Sequence, residues 1–297
     1  MWIKRILFMD IVRIWETYSK RIGHVVLLKR DIKDIYNKRI SELKSISQNK
    51  QRKELIKKFP MSAHNMSFID PTSGERFFYN HESMYLDDKL LLINNQKNRE
   101  YQFLLMEAYE IFEDTLEELY AYTMINDRNI WPNEIKNISN EEIIQKDFKY
   151  FCRKANQRKG GAIKIGMQLI DYLECNIKWE GLSLKQRIIF VEKLRHIIVH
   201  KRGYLSDKNE FILKVAKDSG TFNNGKICEK LKEYINCFVS SEENGITVIL
   251  DECVLTPPPL MPIRIEYNRF ELLIDNLMVC IYLIIKKLTE RSINNIV

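Results

Sequence analysis

Residues that break a chain into turns are scarce here. The 297 residues hold only 10 glycines and 7 prolines, too few for a turn-rich all-β fold. Long unpunctuated runs of Ile, Leu, Lys, Glu and Asn argue for helices instead. Long apolar runs are missing as well. The most hydrophobic stretch, Leu277 to Ile285, has nine residues and is flanked by Glu271, Asp275, Lys286 and Lys287. A membrane-spanning helix needs about 20, so this stretch reads as a buried core helix. Near Met1 the apolar segments are broken by Lys4, Arg5, Asp10 and Arg13, unlike a secretory signal, and a cytoplasmic protein with no membrane partner is expected. The six cysteines are scattered without a Cys-x-x-Cys pair, most of them among apolar neighbours, as reduced buried cysteines are. No phosphate-binding glycine loop of either common kind is present, which argues against nucleotide hydrolysis and dinucleotide binding. Neither Gly-x-Ser-x-Gly nor a Cys–His signature supports a covalent nucleophile.

What is present begins with charge. The net charge is +7, yet residues 1–60 carry 16 Lys or Arg against 6 Asp or Glu, so the basicity belongs to the N-terminal arm. A basic arm suits a nucleic-acid backbone, and equally a solvated helix surface. The length fits one domain with extensions or two domains. Residues 1–90 read as a basic helical extension with a hairpin, and 91–297 as a helical bundle with a strand-like insertion near 245–267.

Residues 1–58 place Ile3, Leu7, Ile11, Ile14, Trp15, Tyr18 and Ile22 at helical spacing, followed by a Lys-rich continuation: one or two long helices, ended by Pro60. Turn chemistry at Asp70-Pro71-Thr72-Ser73-Gly74 lies between apolar groups and predicts a small hairpin. Helical spacing returns from Asp87 to Ile125. Further helices are expected from Glu141 to Arg158, Ile163 to Ile177, Ser183 to His200, Glu210 to Lys217, Lys226 to Val239 and Phe270 to Thr289. Gly245 to Leu250 is the best strand candidate, with Val254-Leu255 and Ile263 to Tyr267 as partners across Pro257-Pro258-Pro259. Gly160-Gly161, preceded by Arg153, Lys154, Arg158 and Lys159, reads as a loop with a solvated basic end, although such a loop can also touch phosphate. The aromatics Tyr101, Phe103, Tyr109, Phe112, Tyr120 and Tyr122 read as core.

The segment with the most chemistry is Leu194-Arg195-His196-Ile197-Ile198-Val199-His200-Lys201-Arg202-Gly203. Arg195 is a permanent planar cation shaped to hold phosphate, and His200 can exchange a proton near neutral pH. Five residues on a regular helix turn the two about 140° apart. They can meet if the helix ends early near Gly203, or if a second copy completes the cleft. His196 and His200 share the four-residue spacing of a zinc pair. However, position 197 is Ile where a metalloprotease carries Glu, and His24, His64 and His81 lack ligand spacing. No metal and no cofactor are expected.

This segment resembles the HEPN family (higher eukaryotes and prokaryotes nucleotide-binding domain), whose signature is Arg, roughly four to six residues, then His, commonly with a polar residue just after the Arg. The match is Arg195 to His200, followed by Lys201-Arg202-Gly203. The resemblance extends over about Glu100 to Thr289, and the acidic helix from Tyr109 to Tyr120 looks like the opening helix of such domains. It implies a mainly α, up-and-down helical bundle, here with a long N-terminal helical extension and a small β-hairpin insertion. The implied activity is metal-independent endoribonuclease cleavage, in a toxin or an antiviral abortive-infection effector that works as a homodimer.

Carried over, Arg195 binds phosphate and stabilises the transition state, and His200 is the acid–base residue. His196 takes the polar position that orients substrate or the arginine, and Lys201 and Arg202 contact RNA. Glu110 and Glu113 are assisting candidates, which a solvated acidic face explains equally well. RNA, a second copy, and an antitoxin or regulatory protein are the implied partners. The rival expectation is a non-catalytic helical module that binds a partner protein or nucleotide, with Arg195 as a structural ion-pair residue.

Overall fold

The computed structural model describes residues 2–48, 55, 58–132, 138–158, 160–223, 225–242, 245–255 and 265–294. Lys159, Pro257-Pro258-Pro259 and Ile263 lie outside them, as do the side chains of Ile3 and Leu7. The described residues are mainly helical, with nine helices and several small antiparallel sheets. None of these helices is long and apolar enough to cross a membrane. The chain divides into two compact units, Met1–Val26 with Tyr101–Val297, and Leu27–Glu100. The first 26 residues thus group with the larger unit rather than with a separate extension ending near residue 90.

The smaller unit contains the second half of α1 (Trp2–Gln48), the hairpin β1 (Ser62–Ile69) and β2 (Arg76–Met84), and the start of α2 (Leu86–Asn126). The expectation of one or two N-terminal helices resolves to one. Tyr36 and Leu43 of α1 and Leu86 and Ile93 of α2 form a small core, with Ile32, Ile40, Met61 and Leu90 packed against it. The hairpin forms around the expected turn. Asp70 accepts hydrogen bonds from the Thr72 N–H (2.8 Å) and from the hydroxyls of Thr72 (2.7 Å) and Ser73 (3.0 Å). Gly74 supplies the left-handed φ of +75° that closes the turn.

The larger unit is built around the rest of α2. Tyr101, Leu105, Ala108, Tyr109, Phe112, Leu116, Leu119 and Tyr120 are all buried, the pattern of a helix covered on most sides. Ile11, Ile14, Tyr18, Ile22 and Val25 of α1 recur every three or four residues as one buried stripe. Then come α3 (Asn140–Gln145), α4 (Phe148–Asn156) and α5 (Gly161–Tyr172), the pair β3 (Lys178–Trp179) and β4 (Leu182–Ser183), and α6 (Leu184–Lys201). The chain continues through β5 (Tyr204–Leu205), α7 (Lys208–Asp218), α8 (Glu229–Asn236), β6 (Val239–Glu242), β7 (Gly245–Val248), β8 (Glu252–Leu255), β9 (Ile265–Asn268) and α9 (Arg269–Asn294).

Two expectations are corrected. The single helix from Glu141 to Arg158 is two, because the Asp147 carboxylate accepts the Tyr150 N–H at 2.8 Å and caps a new helix there. The strand at Gly245 does not pair with the segments flanking the proline loop. β7 instead lies between β5 and β6, and β8 and β9 pair with each other. The chain leaving α6 takes up β7: the Val248 N–H donates to the Gly203 carbonyl at 2.8 Å, and Gln102 Nε2 donates to the Val248 carbonyl at 3.0 Å.

Candidate functional site

Helix α6 carries the arginine–histidine segment, and its start is firmly set. Ser183 accepts the Gln186 N–H (3.3 Å) while the Gln186 side chain accepts the Ser183 N–H (2.8 Å), a capping box. One turn on, Arg187 is 1% exposed. It donates to the Trp179 carbonyl (3.0 Å), Glu180 (3.0 Å) and Asn276 Oδ1 (3.3 Å), with its guanidinium 4.1 Å from the Trp179 ring centre. The sequence reading passed over Arg187, although an arginine inside an apolar helical run signals a buried cation that needs partners. Leu194, Ile197 and Ile198 are buried, and α6 packs against α7 and α9.

The helix stays regular through His200 and Lys201. Arg202 then takes the left-handed conformation (φ +54°) and Gly203 follows at +83°. The early end at Gly203 that would let His200 swing toward Arg195 does not occur. Gly203 is needed for a different reason: a Cβ there would lie 2.8 Å from Gln102 Nε2, the group bonded to β7.

Arg195 faces α2. Its guanidinium carbon lies 5.8 Å from the centre of the Tyr109 ring, a cation–π contact. The side chain is half-buried, and among the described residues it makes no hydrogen bond and no ion pair; its Nε is buried without a partner. Of the two assisting candidates, Glu113 is the half-buried one and feels the Arg195 charge, whereas Glu110 is exposed. Burial pushes the Glu113 carboxyl above the usual carboxylate range. Arg195 pulls it back, and Glu117, Glu110 and Glu192 push it further up. Tyr109 is buried with its hydroxyl lacking a hydrogen-bond partner among the described residues. Burial first, then Glu113 and Glu192, hold its phenol far above the ordinary value.

The histidines lie around the helix from Arg195. His196 and His200 are exposed, with ring centres 4.5 Å apart. His196 lines a groove between α6 and α7, and Lys201 lines it too. Burial lowers the proton affinity of His196, and the charges of His200, Lys214 and Lys193 lower it further against the opposing Glu192. Lys201 and Arg202 are exposed at the helix end, in keeping with a surface that meets solvent or a polyanion. Within one chain, then, Arg195 and Glu113 come together, and His196, His200 and Lys201 come together, on different sides of one helix. Among the described residues no group of three or more His, Cys, Asp and Glu side chains gathers to hold a metal ion.

Two other features of the larger unit bear on the site. Its largest cleft, about 1010 Å³, is lined by Arg13, Asp114, Glu117, Glu118, Lys149 and Arg153 among others and includes no residue of α6. Arg158, beside Gly160, bonds Tyr120 and the Gln168 carbonyl oxygen (2.9 Å), so this part of the basic loop is occupied in packing. No protein-family model, no curated protein and no solved structure matches the chain.

Proposed function

We propose that the protein is a metal-independent endoribonuclease of HEPN type, acting in the cytoplasm in antiviral defence or as a toxin, with a cleft completed by a second copy. The observation that carries this reading is the state of Arg195. A half-buried guanidinium that Tyr109 orients, with no ion pair and no hydrogen bond among the described residues, has the desolvation cost of a buried cation without its usual compensation. A phosphate placed against it supplies that compensation through charge-assisted bonds.

The second copy follows from the helix. Arg195 and His200 stand about 140° apart on a regular helix, so one chain presents them to different spaces. Two α6 helices facing each other put the arginine of one copy opposite the histidine of the other. In that cleft one neutral His200 accepts the proton of the ribose 2′-hydroxyl as the 2′-oxygen bonds to phosphorus. A protonated His200 gives a proton to the 5′-oxygen as the P–O5′ bond breaks, leaving a 2′,3′-cyclic phosphate. Arg195 stabilises the charge that builds on the phosphoryl oxygens, and His196 orients the strand.

The test is RNA cleavage in EDTA. Cleavage that persists and leaves 2′,3′-cyclic ends is expected from the wild type and not from Arg195→Ala or His200→Ala. A mixture of the two variants should recover part of the activity if the cleft is shared. Activity lost in EDTA and restored by zinc would sink the mechanism.

A second reading rests on the same contacts. Tyr109 and Glu113 surround Arg195 as they would a structural cation, which favours a non-catalytic helical module that binds a partner protein or nucleotide. Growth arrest on expression of the wild type but not of His200→Ala separates the two. Equal harmlessness of both, with no RNA cut, decides for the module.

A further inference from the structure

The groove between α6 and α7 holds more positive charge than its own residues neutralise. Its free volume is about 150 Å³, and the side chains facing it include Lys193, His196, Lys201, Asp207, Glu210 and Lys214. Two of these are already engaged. Lys193 bridges Glu192 (2.9 Å) and Asp218 (2.7 Å). Asp207 caps α7, its carboxylate accepting the N–H groups of Asn209 (2.7 Å) and Glu210 (3.1 Å). Lys201 and Lys214 are exposed and, among the described residues, have neither an ion-pair nor a hydrogen-bond partner, while Glu210 is the one carboxylate of the groove not used as a cap. The balance at His196 is positive, since the cations around it outweigh Glu192 in making protonation harder. A concave surface with a surplus of lysine charge and an imidazole N–H between the lysines matches an anion.

We propose that this groove is a second phosphate subsite, in which Lys201, Lys214 and His196 hold a backbone phosphate next to the scissile one. The identity of that phosphate as RNA rests on the nuclease reading of Arg195 and His200; the subsite itself rests on the groove. Lysines serve backbone phosphates as point charges without demanding the planar geometry an arginine imposes. His200 lies about 40° around the helix from His196, so a strand seated in the groove passes the acid–base residue. This assigns Lys214, on a different helix from the motif, to substrate binding.

The test uses inorganic phosphate as the probe and the full chain. The His196 imidazole is followed by NMR across pH with and without phosphate, its signal assigned through His196→Gln. Phosphate should raise the titration midpoint by roughly half a pH unit, the effect of a part-exposed ion pair, and Lys214→Gln should remove most of that rise. Lys214 is exposed, so the variant keeps the fold. With a single-stranded RNA oligonucleotide, Lys214→Gln should weaken binding several-fold and lower the slope of log K against log salt by about 0.7. A midpoint unmoved by phosphate, or moved equally in Lys214→Gln, overturns the subsite. A Lys214-dependent shift in a protein that cuts no RNA in EDTA upholds the subsite and defeats the nuclease reading instead.

Discussion

Replacing Arg195 with alanine separates a phosphate-binding residue from a structural cation, because the two roles predict losses in different assays. The stabilising contacts in the free chain are few. The stack on Tyr109 is worth about 0.5–1 kcal/mol at a part-exposed site, and the attraction of half-buried Glu113, screened by solvent, adds about 1 kcal/mol at most. No hydrogen bond is lost, since none is made among the described residues. Arg195→Ala should therefore cost about 1–2 kcal/mol, a fall in Tm of roughly 2–8 °C for a unit of this size. The same substitution removes the group that meets developing charge on phosphorus, and RNA cleavage should fall about 10²–10³-fold. Arg195→Lys keeps the charge but loses the planar fork, and should recover stability better than activity. Thermal melts and single-turnover cleavage on the same preparations decide the matter. A variant that unfolds at least 15 °C lower on a generous reading of the same scale, or one that stays folded and cleaves at the wild-type rate, refutes the reasoning.

Three further outcomes are expected. Glu113→Gln should raise Tm at pH 7: the folded chain holds that carboxyl above its unfolded value, so its charged form costs stability at neutral pH. That cost disappears as pH falls through the folded value, so the gap to wild type should close toward about pH 4; a gap that widens in acid would reverse the sign. Tyr109→Phe should be neutral or stabilising by up to about 1 kcal/mol in urea titrations, because it deletes a buried hydroxyl with no partner while keeping the ring under Arg195; a loss above about 1.5 kcal/mol would show that the hydroxyl has a partner. Gly203→Ala should destabilise by about 1–3 kcal/mol, from the left-handed φ and the clash with Gln102, whereas Gly74→Ala, equally left-handed but in open space, should cost less.

Much of the fold was legible because the periodic signals were long. The stripe from Ile11 to Val25, the run from Asp87 to Ile125 and the apolar stretch ending at Ile285 each exceed the length at which a helix can be mistaken for a strand. The errors lie where one residue decides. Asp147 starts a new helix because its carboxylate reaches the Tyr150 N–H, and that competition between cap and continuation has no periodic signature. The partner of β7 was not legible either, since it depends on Gly203 and Gln102, which are 101 residues apart in the chain, meeting at one place.

For the site, the motif named the right segment but could not say what each side chain faces. Spacing alone left the helix free to end early and bring His200 round to Arg195. The structure removes that option, because α6 stays helical past His200 and the break falls at Arg202 and Gly203. The surroundings of Arg195 and of the histidines therefore differ within a single chain. Arg195 stands against an aromatic ring and a carboxyl whose protonation is favoured, and the histidines stand among lysines. A reaction that needs a cation and an imidazole on one phosphate cannot be run by either side alone. The nuclease reading thus stands or falls on assembly: the wild type should lose cleavage on dilution below its self-association constant, and a monomer that cleaves at full rate would require a different pair of residues.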